Sequence, residues 1–133
     1  MDKKFDVVIV GTGAAGLYAA LNFPESVNIL LVSKRELQLS NSSLAQGGVA
    51  CVLDTVHDSY KLHITDTLIA GKYKNTLSAV EKLVTEGPSD VLKIKDLGVD
   101  FDLNEDGTMC KTLEAGHSRN RIVHHKDSTG KAI

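Results

Sequence analysis

Cysteine is scarce in this sequence: there are two, Cys51 and Cys110, and no Cys-x-x-Cys pair. That excludes a disulfide scaffold and fits a reducing compartment, with both thiols read as small buried apolar side chains. Long hydrophobic runs are missing as well. No stretch approaches the roughly 20 apolar residues of a membrane span. Val7–Val10 is too short for the apolar region of a signal peptide. The chain is therefore expected in the cytoplasm, with no membrane partner. Neither charge sign dominates: 15 Lys and Arg stand against 17 Asp and Glu, a net charge of −2. Such a balance offers nothing to nucleic acid or an anionic bilayer. Repeats and low-complexity segments are also absent. What is there is an ordinary globular composition, 42% apolar and 24% charged, over 133 residues, enough for one domain.

Along the chain, Phe5–Val10 (FDVVIV) and Val27–Val32 (VNILLV) read as strands buried on both faces. Between them, Ala14–Asn22 has helical spacing and Pro24 stops it. Strand, helix and strand within about 30 residues make a βαβ unit with a right-handed crossover. Arg35–Gly48 has no sustained period and reads as a long functional loop ending in a short helical turn. Asp58–Gly71 reads as a helix capped by Asp58 or Ser59 and ended by Gly71. Two further helices are expected, Thr76–Thr85 and Ser89–Leu97, separated by Gly87 and Pro88. The spacing of Ser78 and Glu81 suits a capping box that starts the first of them slightly late, and Gly98 ends the second. Phe101–Leu113 alternates around Asn104–Gly107 and reads as a hairpin. Ser128–Gly130 resembles a helix start that lacks room to develop. The fold class expected is α/β, an incomplete Rossmann-like dinucleotide-binding domain with inserted helices and a hairpin. Two strands alone do not complete a parallel sheet, so a truncated chain is inferred.

The sharpest motif is Gly11-Thr12-Gly13-Ala14-Ala15-Gly16, a G-x-G-x-x-G between strand and helix. The first glycine permits a tight turn. The second lets backbone approach a pyrophosphate, and the third lets the helix pack on the strand. The helix N-terminus offers unpaired N–H groups and partial positive charge to phosphate. The acidic residue usual at the end of the second strand is missing; Ser33, Lys34 and Arg35 stand there. Ser33 can bond a ribose hydroxyl, and Lys34 and Arg35 can meet a 2′-phosphate or lie in solvent. The residues by themselves leave FAD, NAD and NADP open.

A second segment, Ser40 to Ala50 (SNSSLAQGGVA), together with GTGAAG resembles the fumarate reductase, succinate dehydrogenase and L-aspartate oxidase flavoprotein family. Asp66–Gly71 (DTLIAG) and Glu114–His124 (EAGHSRNRIVH) resemble its L-aspartate oxidase branch, and the motifs occur in the family's order along the whole chain. The resemblance implies FAD, with Ser33 and Lys34 in place of the ribose acid. It implies that Asn41, Ser42, Ser43, Leu44, Ala45, Gln46, Gly47 and Gly48 wrap the flavin. In the membrane-linked relatives a histidine at the position of Asn41 carries a covalent flavin bond. An asparagine amide does not form it, so noncovalent FAD is expected.

The resemblance further implies that Glu114, His117, Ser118 and Arg119, with Arg121, line the substrate side. Glu114 would accept from an α-ammonium and the others would donate to carboxylates. The two arginines read equally well as a solvated surface pair. Ala115 departs from the glycine common in the family. The implied chemistry is transfer of hydride from Cα of L-aspartate to FAD, giving iminoaspartate, with oxygen or fumarate as acceptor. The product feeds quinolinate formation in NAD biosynthesis, which makes quinolinate synthase a candidate partner. The family's capping and C-terminal helical domains, with the proton-handling groups, are expected outside residues 1–133. No catalytic residue is assigned here, and the fragment alone is expected to be inactive. His117, His124 and His125 lack a fourth ligand for zinc, so no metal is expected. His63 is read as a helix-surface residue. The alternatives are a fumarate reductase or succinate dehydrogenase-like flavoprotein and a non-catalytic dinucleotide-binding module.

Overall fold

A computed structural model describes residues 3–36 and 39–133. The chain opens with β1 (Val7–Val10), α1 (Ala14–Leu21) and β2 (Ile29–Val32). β1 and β2 pair in parallel with Val7 opposite Ile29 and Val10 opposite Val32. Parallel neighbours need a crossover, and α1 supplies it. The β-branched, aliphatic runs make the strands; Asn22 closes α1 two residues before Pro24. The expectation of strands buried on both faces is not met. Ile9 lies under α1, where the space for a Cβ on Gly16 comes within 3.5 Å of its Cγ2. On the other face Val8 and Val10 are 57% and 83% exposed. α1 covers one face only, and no other described element covers the second.

β3 (Val49–Ala50), β5 (Ile122–Val123) and β4 (Lys111–Thr112) form a separate antiparallel sheet in the order β3-β5-β4. The core sits here rather than in the βαβ unit. Cys51, Val91, Phe101, Met109 and Val123 pack together, flanked by Val49, Leu53, Ile94 and Val99. Cys51 is buried as expected, and burial pushes its thiol up to about 12; Cys110 is only half-buried.

α2 (Tyr60–Ala70) begins at Ser59, whose hydroxyl accepts from Leu62 N at 3.2 Å. Gly71 closes it with an ordinary negative φ. The left-handed backbone falls instead on Lys72 and Tyr73.

α3 (Leu77–Asp96) is one helix of 20 residues, not two. Pro88 lies inside it. A proline in a helix interior loses a hydrogen bond and costs about 3 kcal/mol. Here the ring belongs to the buried stripe Val80, Val84, Pro88 and Val91, spaced to fall on one helical face. Burying that continuous face offsets the local loss. On either side of Pro88 two hydroxyls bond back to the helix: Thr85 Oγ1 donates to Glu81 O at 2.8 Å and Ser89 Oγ to Glu86 O at 2.7 Å. The capping box is not used, since Thr76 is the N-cap and Leu77 the first helical residue. The C-terminus behaves as the sequence predicts. Gly98 has φ +107°, Gly98 N donates to Lys95 O and Val99 N to Ile94 O. That is the Schellman pattern, which needs a left-handed residue after the cap.

The hairpin of 101–113 forms only at its tip. Gly107 (φ +80°) closes a turn with Asn104, and Leu103 bridges Met109. Beyond it Lys111 and Thr112 pair with β5, not with the segment before the turn. α4 (Thr129–Ala132) is a single turn after Ser128. Among the described residues no helix is long and apolar enough to cross a membrane.

Candidate functional site

Gly11 N donates to Val32 O at 2.8 Å, joining the end of β1 to the end of β2. The chain then reverses at Gly11 with φ +112°, a conformation an L side chain resists. At Gly16 a Cβ would stand 2.0 Å from Gly11 O, so α1 reaches the strand only because that side chain is absent. Gly13 is the N-cap of α1 and supplies no side-chain acceptor. Ser42 takes that role from 28 residues away: its Oγ accepts from Ala14 N at 3.0 Å. A Cβ on Gly13 would come within 2.9 Å of the same oxygen. The glycine turn and the 41–48 loop are therefore one structure.

Inside that loop Leu44 N donates to Ser40 O and Ala45 N to Ser42 O, giving the short helical turn expected. Ser43 N donates to Ser40 Oγ at 3.1 Å. Leu37 and Gln38 of the same loop lie outside the described residues. Gly48 lies against β5, where a Cβ would meet Val123 O at 2.4 Å. Gly130 N donates to Ala45 O at 3.0 Å, which docks α4 on the loop. A cleft of about 250 Å³ opens between Thr12, Ala14, Ser42, Ser43 and Lys131. At the end of β2, Ser33 Oγ accepts from Thr12 Oγ1 at 2.9 Å and from Arg35 N at 3.3 Å. Lys34 and Arg35 are exposed.

FAD carries a diphosphate, and these residues fit one. Gly13 itself puts no side chain over the start of α1, and of the first N–H groups of the helix, which have no intrahelical partner, Ser42 takes that of Ala14. A Cβ on Gly13 would crowd Ser42 Oγ at this end of α1, and one on Gly16 would strike Gly11 O and force the helix off the turn.

In the 114–121 segment Arg121 alone is buried, His117 is half-buried and the rest is exposed. Glu114 is exposed, and its Oε2 lies 3.8 Å from the place of a Cβ on Gly47. Ala115 is followed by Gly116 at φ +85°, so the left-handed turn of this loop sits one residue after the departure from the family pattern. Arg119 is exposed, with Nη1 donating to Ser118 O. Ser118 turns away from a ligand role: its N and Oγ both donate to Asp66 Oδ2 at 2.8 Å.

Arg121 corrects both sequence readings, the substrate donor and the solvated pair. It is completely buried. Nε and Nη2 grip Asp58 at 2.7 and 2.8 Å, and Nη1 reaches Asp66 at 2.5 Å. Burial pushes both carboxyls up, but the hydrogen bonds from Arg121, the N–H donors of Ser59 and Ser118, and the arginine charge outweigh it. Both end below the usual carboxylate range. His63 is also corrected, being 6% exposed rather than on the surface. Its ring stands 5.6 Å from that of His117, tilted by 57°. Burial, with Arg121 and His117 adding to it, pushes His63 down to about 4. No sequence period marked Arg121, since its partners lie 55 and 63 positions away in the chain. Of the three histidines near the end of the chain, two approach one carboxylate, Asp102, at 3.0 and 4.0 Å, and His117 does not join them. His117 faces Arg121, while His124 Nδ1 is 3.0 Å from Asp102 and His125 Nδ1 contacts Asp100 O.

The model of a family described as "FAD binding domain" matches residues 6–133. An L-aspartate oxidase of Clostridium perfringens is 47% identical over the whole chain, which spans 30% of that relative. The L-aspartate oxidase of Acinetobacter baylyi is 47% identical over 97% of the chain and 24% of its own length. Among solved structures, an E. coli quinol fumarate reductase superposes with a TM-score of 0.90 at 29% identity, over 96% of this chain and 22% of that one. The Sdh1 complex of Mycobacterium smegmatis gives 0.88 at 31% identity, over the same shares. The chain belongs to the FAD-binding domain family, with the fold of the fumarate reductase and succinate dehydrogenase flavoproteins, and its cofactor is FAD.

Proposed function

We propose, with that membership as premise, that this chain is the N-terminal part of a Rossmann-like FAD-binding domain in an enzyme oxidising L-aspartate to iminoaspartate. The chain spans under a third of the relatives named above, so the activity is assigned to a whole protein of their kind. The observation that carries the reading is the position of Glu114 Oε2 over Gly47, 3.8 Å from where a Cβ would stand. A carboxylate beside the paired glycines is an acceptor for the α-ammonium of an amino acid, a group that succinate lacks.

In this reading, the start of α1 and residues 11–16 hold the diphosphate and Ser33 bonds a ribose hydroxyl. The backbone of 41–48 lies against the flavin, with Gly47 and Gly48 allowing close approach. When bound, FAD supplies the hydride acceptor. Oxygen or fumarate takes the electrons afterwards. Asn41 offers an amide where a covalent link needs a histidine, so FAD is held noncovalently. His117 and Arg119 donate to substrate carboxylates. No residue of this chain is assigned proton transfer. The product enters quinolinate formation in NAD biosynthesis, with quinolinate synthase as the next enzyme.

The test is turnover by the whole, FAD-loaded protein with L-aspartate and with succinate. Glu114→Gln is expected to raise KM for L-aspartate about tenfold or more, the worth of one charge-assisted hydrogen bond. Faster turnover of succinate than of L-aspartate would overturn the reading in favour of a succinate dehydrogenase-like enzyme.

A further inference from the structure

We infer that Arg121 is a positioning residue, which fixes His117 with its Nε2–H as a hydrogen-bond donor to a carboxylate of an amino-dicarboxylate substrate. The nature of that substrate rests on the function proposed above; the orientation of His117 does not.

A guanidinium has donors and no acceptor. Arg121 Nη1 lies 3.1 Å from His117 Nδ1. In that contact Nδ1 must therefore present its lone pair. A neutral imidazole accepting at Nδ1 carries its proton on Nε2, and the bond made by one ring nitrogen sets the role of the other. The arginine cannot turn to relax this demand. Its Nε and Nη2 are held by both oxygens of Asp58, its Nη1 by Asp66, and the whole side chain is buried. The loop is pinned on either side of the ring. His117 N donates to Glu114 O at 3.2 Å, and Ser118 is tied to Asp66 by two bonds. The ring itself packs on buried His63.

One short loop thus carries an acceptor at Glu114 and, three residues on, an oriented donor at His117. That pairing matches the ammonium and a carboxylate of one α-amino acid. Arg121, which the sequence leaves open between a ligand and a solvated residue, acts one step back.

Nitrogen-detected spectra of the whole FAD-loaded protein, labelled with ¹⁵N-histidine, report each ring's tautomer directly. His117 is expected with Nδ1 unprotonated and Nε2 protonated; a protonated Nδ1 in the neutral ring would overturn the inference. This measurement needs no variant, so it stands even where Arg121→Lys fails to fold. In a folded Arg121→Lys protein, an ammonium replaces the fork. The His117 signals should become a mixture of tautomers, and KM for L-aspartate should rise several-fold with kcat retained. An unchanged tautomer there overturns the positioning role. His117→Gln, which keeps a donor, should hold KM near its original value, whereas His117→Leu should raise it about tenfold. Equal KM in both variants overturns the donor role. Should the unaltered protein show the expected tautomer but no turnover of L-aspartate, the proposed function fails and the orientation of His117 by Arg121 stands.

Discussion

Arg121 and Asp58 meet through two parallel hydrogen bonds, Nε to Oδ2 at 2.7 Å and Nη2 to Oδ1 at 2.8 Å, with 1% and 5% of their side chains exposed. They lie 63 residues apart and join the loop before α2 to the residue that leads into β5. Breaking a buried pair by removing one partner leaves the other charge without compensation, at about 3–5 kcal/mol. Arg121→Met is therefore expected to lower stability by that order in urea unfolding. Asp58→Asn should do so too, since an amide cannot accept both bonds. A loss under 1 kcal/mol in either would contradict the account.

The same pair predicts an acid limit. The carboxyls of Asp58 and Asp66 titrate lower folded than unfolded, where an aspartate has a pKa near 3.9. Their contribution is thus full above that value and is lost as pH falls through the folded pKa values. Unfolding free energy should drop below about pH 4, and the drop should be smaller in Asp58→Asn.

His63 acts at higher pH and with its own sign. Its folded pKa is pushed down to about 4 while an unfolded histidine titrates near 6.5. Between those values the unfolded chain binds more protons, so stability rises with pH and levels off above about 6.5. The slope is at most about 1.4 kcal/mol per pH unit for one group. Melting curves across pH 4–7 on the protein and on His63→Phe should show the slope reduced in the variant.

Glycine substitutions should divide sharply. Gly16→Ala brings a carbon to 2.0 Å from Gly11 O and should abolish FAD retention by forcing α1 off β1. Gly87→Ala meets nothing within 4 Å in the interior of α3 and should raise stability by about 0.5–1 kcal/mol. Flavin absorbance and thermal melting of the two variants check this contrast.

Noncovalent FAD predicts that acid precipitation of the whole protein releases its flavin into the supernatant. Yellow colour retained in the pellet would refute the role given to Asn41.

Local chemistry made several elements legible. Ser59 and Gly98 mark helix ends through bonds within a few residues; the sequence points to Gly98 outright and to Ser59 as one of two caps, beside Asp58. Gly11 and Gly16 announced the strand-to-helix turn because only a missing side chain allows it. Elements whose outcome depends on distant partners were misread. Gly87 and Pro88 are local breakers, yet α3 runs through them because Val80, Val84 and Val91 share a face that the core covers. Lys111 and Thr112 left the expected hairpin because β5 offered them a partner.

The candidate site divides in the same way. Residue order alone determined the glycine turn, the flavin-loop resemblance and the presence of Glu114, His117, Ser118 and Arg119 on one segment. Only the tertiary structure decided that Arg121 lies inside, that His63 supports His117, and that Ser42 caps α1 from a distant loop. The physical reason is one of range. A turn or cap is settled by atoms a few bonds away, whereas burial of a charge is settled by whether two carboxylates arrive from elsewhere in the chain to compensate it.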